Sequence, residues 1–100
     1  MALAAQVQAG WVFSMTVKNV RSSAATGAVT FVTNEPVQNP NNCPTAEFYG
    51  ILATDNPKQA LAILLTAQAT GAKLSFYLPD GAGCDGFGRP RVTDVLIGTP

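Results

Sequence analysis

The chain has no histidine, and only 12% of its 100 residues are charged. Histidine is the commonest general base and metal ligand near neutral pH, so the usual centre of an enzyme site is missing. No nucleophile elbow and no phosphate-binding P-loop occurs either. The acidic residues are scattered, with no spacing that predicts convergence: Glu35, Glu47, Asp55, Asp80, Asp85 and Asp94. We therefore predict a protein that is not an enzyme and uses no cofactor.

Clustered positive charge and long apolar segments are also absent. Six basic residues balance six acidic ones, and no basic run occurs. Nucleic acids and anionic membranes are bound through clustered lysine and arginine, so neither is an expected partner. No apolar run approaches the roughly 20 residues of a spanning helix, so no membrane span is expected.

Cysteine is scarce and confined to two loops rich in glycine, proline and asparagine, at Cys43 and Cys84. Neither has a nearby cysteine in zinc-ligand spacing, so no metal site is predicted. Asp80 and Asp85 bracket the second loop, but without the regular calcium-ligand spacing a role in the turn is favoured. Two loop cysteines in a small domain favour a disulfide over two free thiols. We expect a Cys43–Cys84 bridge and a secreted or periplasmic protein.

The hydrophobic pattern predicts a mainly β domain with one helix, in the order β-β-β-α-β-β. Strand patterns cover residues 10–21, 28–34, 46–53, 73–78 and 91–98. In the first of these, alternation predicts that Trp11, Phe13, Met15 and Val17 face inward. Gly50 within the third strand suggests a bulge or bend. This order suggests a single five-stranded OB-fold barrel over residues 10–98, preceded by a tail of residues 1–9.

The helix is bounded by strong signals. Pro57 suits its first position, Asn56 and Gln59 suggest a capping box, and Gly71 suits its end. One stripe is predicted to face the barrel: Ala60, Leu61, Leu64 and Leu65. The opposite face carries no charge, which suggests that another subunit covers it through Ala62, Ile63, Thr66 and Ala69. An alanine-rich helix tolerated in water is the alternative.

Neutral hydroxyls and aromatic rings suggest a binding site. Ser14 and Thr16 lie on the predicted outer face of the first strand, and Tyr77 and Tyr49 can stack on a flat apolar face. A rigid loop adds further polar groups: Glu35, Gln38 and Asn39. Such groups beside aromatics suit a sugar, although each also has an ordinary structural explanation.

Several segments together suggest a known family: residues 12–17 (VFSMTV), Ala69-Thr70-Gly71, residues 73–78 (KLSFYL), Gly81 and residues 92–97. On these segments, the chain resembles the B subunits of the pertussis-like and subtilase-type cytotoxins. The resemblance spans roughly residues 10–98. Small secreted bacterial proteins with a similar layout of cysteines and helix, and without an assigned function, show the same pattern.

The resemblance implies a secreted bacterial OB-fold that forms pentameric rings, binds sialylated glycans and pairs with an enzymatic A subunit. Ser14 matches the family serine that holds the sialic acid. The family tyrosine aligns with Leu78, next to Tyr77, and Gly10 and Trp11 stand where some members have an acid. The predicted ligand-binding residues are therefore Ser14, Thr16, Glu35 and Tyr77. The alternative is a structural or protein-interaction module with the same fold.

Overall fold

The computed structural model of the chain describes residues 10–79 and 83–99, so the predicted tail of residues 1–9 lies outside the described residues. The described chain is mainly β with one helix, as predicted. The strands are β1 (Gly10–Met15), β2 (Val17–Ser22), β3 (Val29–Thr33), β4 (Tyr49–Ile51), β5 (Leu74–Leu78) and β6 (Asp94–Ile97); helix α1 (Pro57–Thr70) lies between β4 and β5. No helix in these two ranges is long and apolar enough to cross a membrane.

The strands form two three-stranded antiparallel sheets, ordered β1-β5-β6 and β2-β3-β4. β1 and β2 are separated only by Thr16, so the predicted first strand contributes one half to each sheet. A parallel bridge joins β4 to the segment before β6: the Gly50 N–H donates to the Pro90 carbonyl, and the Val92 N–H donates to the Gly50 carbonyl. Among the described strands, these pairings do not amount to one closed five-stranded barrel.

A bulge in β1 changes which side chains face the core. Val12 lies opposite Phe76 and Met15 lies opposite Leu74, so β1 takes three steps where β5 takes two. Ser14, inside this stretch, has φ +62°. An extra residue in a strand reverses the alternation of side chains from that point.

The reversal explains an error in the predicted inward face. Met15 and Val17 are buried as expected, but before the bulge it is Val12 that is buried. Trp11 and Phe13 face outward, and Phe13 is 50% exposed. The expectation that these two aromatics lie in the core is wrong, because a strict period of two holds only in an unbulged strand.

The core centres on three buried aromatic rings from three strands. Phe31, Tyr49 and Phe76 have centroid separations of 5.1, 5.3 and 4.6 Å. The Tyr49 hydroxyl accepts a 2.7 Å hydrogen bond from the Gln38 N–H, and burial raises the pKa of Tyr49. Tyr49 therefore cannot stack on a ligand, contrary to the sequence-based expectation.

Helix α1 packs on this core through Leu64 and Ala67, which are fully buried. Ala60, Leu61 and Ile63 pack beside them and stay partly accessible. Leu65 was predicted to face inward but is 47% exposed. The buried stripe therefore follows the spacing i, i+4, i+7 from Ala60.

The ends of α1 match the predicted signals in part. Pro57 occupies the first turn, and Gly71 ends the helix at φ +71° with its N–H bonded to the Ala67 carbonyl. Asn56 has φ +54° and its side chain makes no capping bond. The predicted capping box is absent because capping by a side chain requires an extended backbone at that residue.

The predicted disulfide between Cys43 and Cys84 is present, across a sequence separation of 41 residues. Closing a loop of this length contributes about 4 kcal/mol in the chain-entropy model. The bridge fastens the segment around residues 83–92 to the loop that precedes β4. Backbone bonds support the same junction, including one from the Thr45 N–H to the Gly88 carbonyl.

Gly50 is required by a close approach. β4 pairs in regular register with β3, so of the predicted bulge or bend the bulge is absent, and the Asp85 carboxylate lies against the bare face of Gly50. A Cβ at this position would overlap the carboxylate, with its Cγ at 3.0 Å and the Arg89 Nε at 3.4 Å. A side chain here must therefore displace Asp85.

We expect Gly50→Ala to lower the free energy of unfolding by about 3 kcal/mol, because it overpacks the site and separates a buried ion pair. Gly86→Ala is the matched control, since nothing lies within 4 Å of its Cβ position, and it should change stability by no more than about 0.5 kcal/mol. Urea unfolding followed by circular dichroism measures both. Equal losses in the two variants would contradict the packing role of Gly50.

Candidate functional site

Two of the four predicted ligand-binding residues are bonded to each other at the break between β1 and β2. The Thr16 N–H donates to Oε1 of Glu35 at 2.8 Å, and the Thr16 hydroxyl donates to Oε2 at 2.9 Å. Asn34 donates from Nδ2 to the Thr16 hydroxyl oxygen at 2.9 Å. Glu35 thus provides the hydrogen-bond acceptor for the Thr16 backbone N–H at the point where the strand is interrupted. Its carboxylate is already engaged by the protein.

This bonding fixes the charge of Glu35. The Thr16 backbone N–H is the main cause that lowers the pKa of the Glu35 carboxyl; partial desolvation opposes it, and the Thr16 hydroxyl and Lys73 reinforce it. Glu35 is therefore ionised at neutral pH. Its carboxylate holds the two halves of the strand together through Thr16.

Ser14 and Tyr77 lie on the other side of the break, on the β1–β5 pair. Ser14 is exposed at the bulge, and its hydroxyl has no hydrogen-bond partner among residues 10–79 and 83–99. Tyr77 lies directly opposite Trp11, three positions before Ser14 on β1. The structure therefore brings Thr16 to Glu35 and Tyr77 to Trp11, and leaves Ser14 between the two pairs.

An aromatic strip, formed by Trp11, Phe13 and Tyr77, runs over the outer face of this strand pair. The Trp11 and Tyr77 rings meet edge to face, with centroids 5.5 Å apart. Both rings are half-buried, and Phe13 is the most exposed of the three. Of these three residues, only Tyr77 is predicted from the sequence as a binding residue, because the alternation places Trp11 and Phe13 in the core. The positive φ of Ser14 that exposes them leaves no clear mark in the sequence.

The strip offers contacts suited to binding. Aromatic faces and the exposed hydroxyl of Ser14 offer stacking and one hydrogen bond. Asp94 on β6 lies directly opposite Tyr77, on the same face of the sheet, and is exposed. Within the described part of the chain, no three metal-ligating side chains come together.

The loop carboxylate Asp85 serves the turn, as its sequence context favoured. Its Oδ1 accepts bonds from the N–H groups of Phe87 and Arg89, each at 2.9 Å. Asp80, the other acid weighed for calcium, lies outside the described residues.

The predicted subunit-contact residues lie mostly on the solvent side of α1. Ala62, Thr66 and Ala69 are exposed, and the Thr66 hydroxyl donates to the Ala62 carbonyl at 2.9 Å. Ile63 is half-buried and packs against the core. We call the exposed surface of Ala62, Leu65, Thr66 and Ala69 the outer helix face; it carries no charge.

We expect Glu35→Gln to destabilise the protein by roughly 1 kcal/mol at neutral pH, because an ionised acceptor is replaced by a neutral one. The pKa of Glu35 is lower in the folded protein than its ordinary value of 4.5. The contribution of the Glu35 carboxylate to the free energy of unfolding is therefore complete above about pH 4.5, and it is lost as the pH falls through the lowered pKa.

Urea unfolding measured from neutral pH down to pH 3 tests this dependence. The difference between wild type and Glu35→Gln should shrink below about pH 4.5. Glu47→Gln, at an exposed carboxylate, is the matched control. A difference that stays constant over this pH range would contradict the bonded role of Glu35.

Comparison of the chain with protein-family models, with curated proteins and with solved structures found no match. The binding chemistry must therefore be inferred from the residues of the site: three outward-facing aromatic rings and a serine hydroxyl.

Proposed function

We propose that the protein is a secreted bacterial, non-catalytic glycan-binding protein that assembles with copies of itself, like the toxin B subunits it resembles. The observation that carries this proposal is the aromatic strip together with exposed Ser14, whose hydroxyl has no hydrogen-bond partner among residues 10–79 and 83–99. A sialylated glycan on a cell surface is the ligand class that the resemblance suggests.

The strip has the chemistry that a sugar requires. The C–H face of a pyranose is apolar and packs on an aromatic ring, while its hydroxyls need hydrogen-bond partners at the edge of the ring. Phe13 offers the exposed ring, the Trp11–Tyr77 pair offers a fixed floor, and Ser14 offers the hydroxyl. A ligand here is held by Ser14 and the strip, with Thr16 and Glu35 supporting the bulge beneath it.

The proposed scaffold is an OB-type barrel in two interrupted halves. The pairings run from β2 through β3 to β4, across the Gly50–Arg91 bridge, and on through β6 and β5 to β1. Thr16 connects β1 to β2, which are the two ends of this series of paired strands. The gap at Thr16 is bridged by Glu35, which supports reading the two sheets as one curved structure.

The proposed assembly uses the outer helix face. Solvent-facing helix surfaces normally carry charged residues, whereas Ala62, Leu65, Thr66 and Ala69 form an uncharged surface. A pentameric ring, as the resemblance implies, would bury this face at its centre, with an enzymatic A subunit as a further partner. The Cys43–Cys84 disulfide fits an oxidising compartment.

The uncharged helix face also supports the alternative of a structural or protein-interaction module. In that case the assembly itself is the function, and no glycan is bound.

For glycan binding, we expect Phe13→Ala to weaken binding about tenfold and Ser14→Ala to abolish detectable binding, as expected for removal of central contacts. The measurement is a glycan array followed by titration of the best ligand. Ile97→Ala is the matched control, because Ile97 is 43% exposed and lies outside the strip. A wild-type protein that binds no glycan above background, or variants that bind like wild type, would contradict the proposal.

For assembly, we expect Ala69→Arg to convert the oligomer to a monomer in light scattering, because five copies of a new charge would meet at the interface. Ala24→Arg places the same charge on an exposed turn away from α1 and should leave the mass unchanged. A wild-type protein that is monomeric at high concentration would contradict assembly through this face.

A further inference from the structure

A second candidate site lies on the outer surface of the other sheet, away from the aromatic strip. It is a cavity of about 180 Å³, lined by Arg21, Ser23, Thr26, Ala28, Thr30, Phe87 and Arg89. Arg21 on β2 lies opposite Thr30 on β3, and Thr30 lies opposite Gly50 on β4. Directly opposed residues share a face of the sheet. The arginine, the threonine and the bare side of Gly50 therefore form one row.

Arg89 is held over this row by Asp85. The Asp85 carboxylate rests on the bare side of Gly50, and its Oδ2 accepts a 2.7 Å bond from Nε of Arg89. The two side chains are only 13% and 1% exposed. Because Nε makes this bond, the two Nη groups of Arg89 stay available, and neither has a hydrogen-bond partner among the described residues. Every buried side-chain nitrogen in the described residues does have a partner, so the two Nη groups are not buried. Both Nη groups are therefore accessible to a ligand.

Arg21 supplies a second guanidinium. It is exposed, and none of the ion pairs within residues 10–79 and 83–99 involves it. With Asp85 beneath, the two arginines leave the site with a net charge of about +1. A planar guanidinium fork matches the oxygens of a carboxylate or sulfate. The charge balance favours a ligand with one negative group.

The rest of the cavity offers hydroxyls and a flat apolar surface. The hydroxyl oxygens of Ser23 and Thr26 accept bonds from backbone N–H groups of their own turn, which leaves each O–H able to donate. The Phe87 ring is 57% exposed, and the Arg89 guanidinium carbon lies 4.8 Å from its centroid. A ring stacked beside a fixed guanidinium can hold the flat body of a ligand whose oxyanion meets the arginines.

We propose that this cavity binds a small ligand in which a single oxyanion, a carboxylate or a sulfate, is attached to a flat apolar body. Arg21 and Arg89 bind the oxyanion, the hydroxyls complete its hydrogen bonds, and Phe87 packs against the body. The site is on the β2–β3 surface and does not depend on the glycan site on β1–β5.

The probe is benzoate, titrated into the isotopically labelled full chain and followed by NMR. We expect saturable binding at about millimolar concentration, as for a ligand of this size, with shifts centred on the amides of Thr30, Phe87 and Arg89. Benzamide has the same shape without the charge and should bind about tenfold more weakly. Phenyl sulfate is titrated in the same way, to compare a sulfate with the carboxylate of benzoate. Tighter binding of either anion than of benzamide supports the proposal, and the tighter of the two anions shows which oxyanion the cavity prefers.

Arg21→Gln should weaken benzoate binding about tenfold through the loss of a charge-assisted bond. Arg21 is exposed, so this variant should keep the wild-type spectrum elsewhere. Lys18→Gln removes the same charge from an exposed position of β2 outside the cavity and should bind like wild type. Equal binding of benzoate and benzamide, an unaffected Arg21→Gln variant, or shifts centred on Trp11 and Tyr77 would overturn the proposal.

Discussion

The bare face of Gly50 lets the Asp85 carboxylate lie directly on β4, where any side chain would exclude it. The backbone of the same residue bonds in both directions to the segment around Arg91, which joins the two sheets. Residue 50 therefore joins the two sheets through its backbone, and its lack of a side chain leaves room for Asp85. Asp85 in turn places Arg89, so the geometry of the cationic cavity depends on the same contact.

Two further ties keep that junction in place. The Cys43–Cys84 disulfide joins the loop before β4 to the loop that carries Asp85 and Arg89. At the opposite break, Glu35 binds the backbone and hydroxyl of Thr16. A domain of this size buries only a modest core. The disulfide and the Glu35–Thr16 hydrogen bonds therefore add stability at the two places where the strand pairing is interrupted.

The sequence predicts well those features that depend on neighbouring residues. The mainly β class, the position of α1 and its end at Gly71 all follow from local pattern, and the disulfide follows from loop context. The bulge at Ser14 was not predictable, because one inserted residue leaves the composition of the strand unchanged while it turns Trp11 and Phe13 outward. The contact of Asp85 with Gly50 was not predictable either, since it joins residues far apart in the chain.

Native-state hydrogen exchange of the Val92 amide tests most directly whether the two sheets are firmly joined at Gly50. This N–H donates to the Gly50 carbonyl across the junction of the two sheets. If the junction is an integral part of the fold, the amide will exchange as slowly as the amides paired between β2 and β3, by global unfolding. Exchange at the rate of an exposed loop amide would mean that the sheets open independently, and would contradict the account.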